Sequence, residues 1–363
     1  MPCSRTWIPA VWIALAGVMA ACTTAPAQRP AAELSGPPPA VPRPEPASAV
    51  WPEAVRTLPG RLARGIRVKP VALLSETEAL MVTSAEARPT FYSYDLRTGR
   101  HRALATAPEW GDCNLCYVVR SVAVGETRIA WTAEVYRSEP WNAGHRHMEL
   151  WSMPRSGGPM RLVAWLTGHG EVAYHEELTI EGEHARWIGP LRDGYRVPLN
   201  GGLAQAISRT PPPSVPIPGT REVWCAGDWC VGRVPPRNNA LTTLIVQRGD
   251  GSRRAEIAAS DAEGPLLAGR FGWFGLPYVY GDASQDEPNG ARLLHDMCTG
   301  RSGRLGAEPK KTEPKKTQPR TDEAPEVHRG AAGSAPEILF WATSGKERTW
   351  TVLDLSRVAP CSS

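Results

Sequence analysis

The side chains here with chemistry to offer are cysteines, a scatter of histidines with nearby carboxylates, and a set of aspartates at turns. Cys113-Asn-Leu-Cys116, Cys225-Ala-Gly-Asp-Trp-Cys230 and the distant Cys298 and Cys361 make an even set. In an exported chain an even set of thiols points to disulfides. Cys225 and Cys230 flank a turn between two strand-like runs, which places them across a hairpin. Cys113 and Cys116 would close a small loop, and Cys298 and Cys361 are then left for each other. Two rival chemistries use the same residues. Two Cys pairs have the right ligand types for zinc, and Cys-x-x-Cys is also a redox spacing. The redox motif opens a helix after a strand, however, whereas Tyr117–Val124 reads as strand. Structural bridges are the preferred reading.

The histidines gather in two places: His145 and His147 beside Trp141 and Glu149, then His169 and His175 among Glu171, Glu176 and Glu177. An alternating His pair with carboxylates is metal-ligand chemistry, but both groups fall in polar, loop-like sequence and read as solvated. Asp95, Asp193, Asp250 and Asp296 lie at or near Gly-containing turns and read as turn formers. No Gly-x-Ser-x-Gly elbow, phosphate loop or His-Glu-x-x-His helix occurs. No catalytic residue, metal ligand or cofactor is assigned.

An address precedes the part that must position these groups. Trp7–Ala21 is uncharged and too short for a comfortable membrane span. It fits the apolar region of a secretory signal peptide. The sequence Val18-Met19-Ala20-Ala21-Cys22 resembles the bacterial lipobox, with Met19 where Leu is usual. That resemblance implies cleavage before Cys22 and lipid on its thiol; the alternative is ordinary cleavage after Ala21. Residues 22–60, rich in Ala and Pro, read as a semi-extended tether. The expectation is an exported protein held at the cell membrane or outer membrane by lipid at Cys22.

From residue 61 to 363 a strand–turn–strand unit recurs. Phe91–Leu104, Glu149–Val163, Gly194–Gly202, Leu244–Ser252 and Leu293–Gly300 carry it, with a truncated copy at Trp350–Leu355. Their glycines, Gly99, Gly157, Gly201, Gly251 and Gly300, lie 58, 44, 50 and 49 residues apart. Tight hairpins need positive φ, which Gly supplies. Met81, Trp131, Trp187, Trp229, Trp273 and Trp341 form a second marker in phase with the first. Each unit has room for four short strands, and such sheets hide their faces by stacking radially. The copy Tyr94-Asp-Leu-Arg-Thr-Gly99 is closest to the strand–turn pattern of TolB-type β-propellers, which the whole region resembles. The expected fold is all-β, a propeller of six four-stranded blades, with an irregular sandwich as the alternative. The last copy stops after its third strand, so a segment from residues 50–68 should complete the ring. The Trp markers read as inter-blade core. Residues 304–333, with Glu-Pro-Lys-Lys-Thr repeated, read as a disordered insertion.

Charge bounds the partners. Forty-one basic against 37 acidic side chains leave a net +4, so nothing suggests a nucleic-acid binder. The reading that follows is a lipid-anchored envelope propeller acting as a non-catalytic binding or scaffolding module for a protein or glycan. The alternatives are an envelope hydrolase or lyase with a site in the channel, and a carbohydrate-binding surface protein. Convergent acidic and His side chains at the axis would favour the enzyme.

Overall fold

Asp95 shows how the sequence makes its turns. Its carboxylate oxygen accepts the backbone N–H groups of Arg97 and Thr98, both at 2.8 Å, and Gly99 follows at φ 69°. A residue with a Cβ is strained there, so the aspartate and glycine together fix a tight reversal. The other marker glycines, Gly157, Gly201, Gly251 and Gly300, also have positive φ.

The computed structural model describes residues 44–361, except 85–87, 109–116, 137–145, 167–176, 189–192, 209–215, 236–242, 260–265, 276–291, 307–325, 334–336 and 344–348. Strand β1 (Val55–Pro59) is followed by six sheets of antiparallel meander. Blade one is β2 (Val68–Ser75), β3 (Glu78–Thr83), β4 (Thr90–Asp95) and β5 (His101–Thr106). Blade two is β6 (Tyr117–Val124), β7 (Arg128–Tyr136), β8 (Arg146–Pro154) and β9 (Arg161–Leu166). Blade three is β10 (Glu177–Glu181), β11 (His184–Ile188), β12 (Asp193–Pro198) and β13 (Gln205–Ser208). Blade four is β14 (Arg221–Ala226), β15 (Trp229–Arg233), β16 (Thr243–Arg248) and β17 (Ala255–Ala258). Blade five has β18 (Phe271–Gly275), β19 (Arg292–Asp296) and β20 (Ser302–Leu305) among the described residues. Leu267 bridges to Phe271 where the other blades have their first strand. Blade six is β21 (Val327–Arg329), β23 (Ile338–Ala342) and β24 (Thr349–Asp354), with the two-residue β22 (Ala332–Gly333) leaving it for blade two. β1 pairs antiparallel with β24 and supplies the fourth strand, so the first strand closes the ring. The fold is a six-bladed β-propeller.

The core lies between blades. Phe91 of blade one meets Trp131 of blade two at 4.8 Å between ring centroids, and Trp131 stacks on Trp151 at 6.5 Å. Trp131, Trp187, Trp229 and Trp341 are all buried. Each marker residue sits on the second strand of its blade, the position squeezed by the neighbouring sheet.

The chain joins the propeller earlier than residue 61. Short helix α1 (Ala47–Val50) and Trp51 lie against blade five, with Trp51 edge-on to Phe271 at 6.4 Å. The Arg304 N–H donates to Glu45 O at 2.7 Å, which covers the outer edge of β20. Residues from about 46 therefore belong to the folded body, because the ring needs an outer strand and that edge needs a cover. The insertion is also shorter than 304–333. Arg304 and Leu305 end β20, and residues 327–333 form β21 and β22 with Val327 and Ala331 buried. Asp193 is the first residue of β12.

Candidate functional site

Strands alternate direction within a blade, so the two ends of the propeller differ. One end carries the short turns of the first-to-second and third-to-fourth strand connections. The other end carries the second-to-third strand connections and the links between blades, which are longer in sequence. The candidate site lies on the innermost strands, towards that second end.

The channel has a floor. After β21 the chain leaves blade six, with Gly330 N–H donating to Ile338 O at 2.8 Å. Ala331 N–H then donates to Val71 O of blade one at 2.6 Å. Ala332 and Gly333 pair in parallel with Ala123 and Val124 of blade two, and this stretch lies alongside β10 of blade three. Blades six and three are opposite each other in a ring of six, so residues 330–333 cross the axis. A register shift between Pro70 and Ala72 frees the Val71 carbonyl for this contact. Gly330 is required by space: a Cβ there would come within 2.2 Å of the Ile338 side chain.

Above this floor, charged side chains converge from three neighbouring inner strands. Arg120 sits in a bulge of β6 between Val119 and Val122, the kind of irregularity that re-aims a side chain. Ser121 N–H there donates to Thr132 Oγ1 at 3.1 Å, not to a ladder partner. The Arg120 guanidinium donates through Nε at 2.8 Å, and through Nη2, to the fully buried Glu134 carboxylate. Glu326 and His328 flank the start of β21, with Nδ1 of His328 3.8 Å from a Glu326 oxygen that faces water. The His328 ring stacks on Phe340 at 5.1 Å and meets Trp350 edge-on at 6.2 Å. Trp350 Nε1 donates to Val68 O at 2.8 Å, tying blade six to blade one.

Lys69, the second residue of β2, completes the group. It is half-buried and makes no hydrogen bond or ion pair with the described residues. Burial holds its pKa below the usual lysine value; Arg120 pushes the same way and Glu326 opposes. Burial also lowers His328, Lys69 adds to that shift, and Glu326 opposes it. On β10 of blade three, the Thr179 hydroxyl is buried without a partner among the described residues. Among the described residues, this place thus presents an amine with no hydrogen bond or ion pair and an imidazole held towards neutral. The Arg120 guanidinium spends Nε and Nη2 on the Glu134 carboxylate.

The sequence-selected residues lie elsewhere. Cys22, Cys113, Cys116, His145, His169 and His175 are outside the described residues, as are the side chains of His147 and Glu177. Glu149 is fully buried, accepting from Trp151 Nε1 at 2.8 Å. Nearby, Trp131 Nε1 donates to Tyr117 Oη at 2.7 Å. Burial raises that phenol's pKa, the Trp131 bond works against the rise and the Glu149 charge adds to it. Cys225 and Cys230 are joined directly across the β14–β15 hairpin, with Cα atoms 4.0 Å apart. Cys298 and Cys361 are joined at a Cα separation of 5.4 Å. Among the described residues no three His, Cys, Asp or Glu side chains gather as a metal set. Lys69, Arg120, Glu326 and His328 carry no local signal. Their meeting depends on ring closure, although Lys69 is the one lysine outside residues 310–316 and Lys346.

No family model matches the chain, and no curated protein matches it. Solved structures do match in arrangement. An oligogalacturonate lyase in complex with manganese is 10% identical, with a TM-score of 0.36 over 78% of this chain and 76% of that one. TolB from Acinetobacter baumannii is 12% identical, with a TM-score of 0.34 over 66% and 53%. The β-propeller domain of the Trilobed protease from Pyrococcus furiosus is 11% identical, with a TM-score of 0.29 over 76% and 80%. Likeness at this level concerns the fold; it transfers no ligand and no activity.

Proposed function

We propose that this protein is a lipid-anchored propeller of the cell envelope. In this reading it binds its partner, without transforming it, at the end of the long connections. The observation that carries the binding part is the blind channel. Residues 330–333 cross the axis and, among the described residues, close it at one end. The acidic and His groups at the axis do not make a catalytic set. Glu134 is bound to Arg120, and Glu326 faces water. Among the described residues His328 has only the water-facing Glu326 beside it, which favours recognition over hydrolysis or elimination.

The anchor rests on Cys22 and the Ala/Pro-rich segment after it. With two or more acyl chains, attachment would be stable. Cys22→Ser should move the protein from the detergent phase to the aqueous phase, and unchanged partitioning would remove the anchor from the proposal. For the binding face, photo-cross-linkers at positions 120 and 328 should trap envelope partners. Cross-linkers at positions 97 and 253, in the tight turns, should not. The opposite pattern would overturn the assignment of the face.

A further inference from the structure

We propose that the blind recess is a binding site for a small anionic group, a carboxylate or a phosphate, held by Lys69 with Arg120 and His328. The inference rests on the binding reading above and gives it a ligand class.

The sequence uses arginine almost everywhere it needs a cation: 35 Arg against 6 Lys. Lys69 is the single lysine among the described residues. Arginine is the better residue for a fixed bidentate pair, while lysine is a compact charge with three rotatable donors. Here the lysine is half-buried and makes no hydrogen bond or ion pair among the described residues. An amine withdrawn from water without a partner is costly, and an anion in the recess would offset that cost.

Among the described residues, the charged groups acting on the amine are Glu326 and Arg120. Glu134 is held by Arg120, so its charge is already matched. Glu326 is the one carboxylate that acts on both Lys69 and His328, and its side chain is 82% exposed. A ligand anion would take the place that Glu326 fills only at a distance. His328, whose pKa burial lowers, can gain a proton as the anion arrives and become a second donor. The floor at residues 330–333 and the aromatic wall of Phe340 and Trp350 keep water from one side, which strengthens each contact.

The test uses the whole chain and amine acetylation read by peptide mass spectrometry. Inorganic phosphate and a simple monocarboxylate are the two probes. At a probe concentration ten times its dissociation constant, Lys69 should acetylate about tenfold more slowly. Lys346 and the lysines at 310–316 should be unaffected. Protection by one probe and not the other identifies the anion. Arg120→Gln and His328→Gln should each weaken protection while Lys69 still reacts. Lys69→Arg should retain probe binding by calorimetry and Lys69→Met should lose it, with circular dichroism checking that each folds. No protection by either probe, or equal protection of Lys346, would overturn the site. If Lys69→Met still cross-links its partner through position 328, only the anion inference fails, and the binding reading stands.

Discussion

Two turns, on blades one and five, use nearly the same residues for different ends. Tyr94-Asp95-Leu96-Arg97-Thr98-Gly99-Arg100 and His295-Asp296-Met297-Cys298-Thr299-Gly300-Arg301 share Asp, Thr, Gly and Arg in register. Their hydrogen bonds match. Asp95 and Asp296 N–H donate to Arg100 and Arg301 O at 2.8 and 2.9 Å, and Gly99 and Gly300 N–H donate back to the aspartate carbonyls at 2.9 and 2.8 Å. The first turn adds only a bond to the adjacent turn, from Leu96 N–H to Thr77 O at 2.9 Å, and its tip at residues 97–100 faces solvent. The second is built into the tertiary structure. Cys298, where the first has Arg97, is bonded to Cys361. Asp296 is fully buried and lies 3.5 Å from the Arg270 guanidinium. Arg270 in turn donates to Val358 O and to Ala359 O, at 3.3 and 2.6 Å. The local turn is thus complete without help, and the changed positions convert it into a fastening point for the chain end.

The largest way to break that difference is the bridge. Cys298 and Cys361 are 63 residues apart, so the loop-entropy model assigns the bond about 4 kcal/mol. Cys225 and Cys230 are 5 apart and should be worth about 2 kcal/mol on the same model. Guanidinium unfolding of the two double Cys→Ser variants should show the larger loss for the 298/361 pair. Equal losses would mean that Arg270 and β1 already hold the end.

Next in size is the aspartate itself. Asp296→Ala removes one partner of a buried ion pair and should cost about 3 kcal/mol. Asp95→Ala should cost clearly less, since water replaces its carboxylate at an exposed turn. Comparable midpoints for the two variants would show that burial does not separate them.

The smallest expected effect is a pH dependence confined to blade five. Burial lowers the His295 pKa to about 4, with Asp296 opposing. Its folded pKa lies below its unfolded value, so the neutral ring stabilises the fold above roughly pH 6.5 and that contribution is lost as pH falls towards 4. Between pH 7 and 5 the loss should be about 2 kcal/mol. His295→Gln should flatten that part of the stability profile. If the variant keeps the same slope, another group titrates.

These turns also show what the sequence makes legible. Aspartate, threonine and glycine act within a few residues of one another, so their chemistry is written in order along the chain. The same holds for the second-strand markers: a large side chain at each repeat is a packing demand that composition reveals. The need for β1 follows from counting strands in the last blade. The recess is different. Lys69 and Arg120 are 51 residues apart and His328 lies far beyond them, so only closing the ring brings them together. The crossing at residues 330–333 is hidden for a related reason. Gly-Ala-Ala-Gly has no apolar alternation, and its partners come from blades one and two.

Blade five holds both ends of the described chain. Glu45 and Trp51 are fixed to it at the start, and Cys361 is bonded to it at the finish. Mechanically, a pull between the two ends enters the same sector of the ring from both sides. The 63-residue loop from Cys298 to Cys361 is covalently short-circuited and cannot lengthen under load. What must yield first is the non-covalent grip of residues 45–59: the Glu45 bond, the Trp51 seat and the β1–β24 ladder. If the segment ahead of that grip is a tether, its tension falls on the strand that closes the ring.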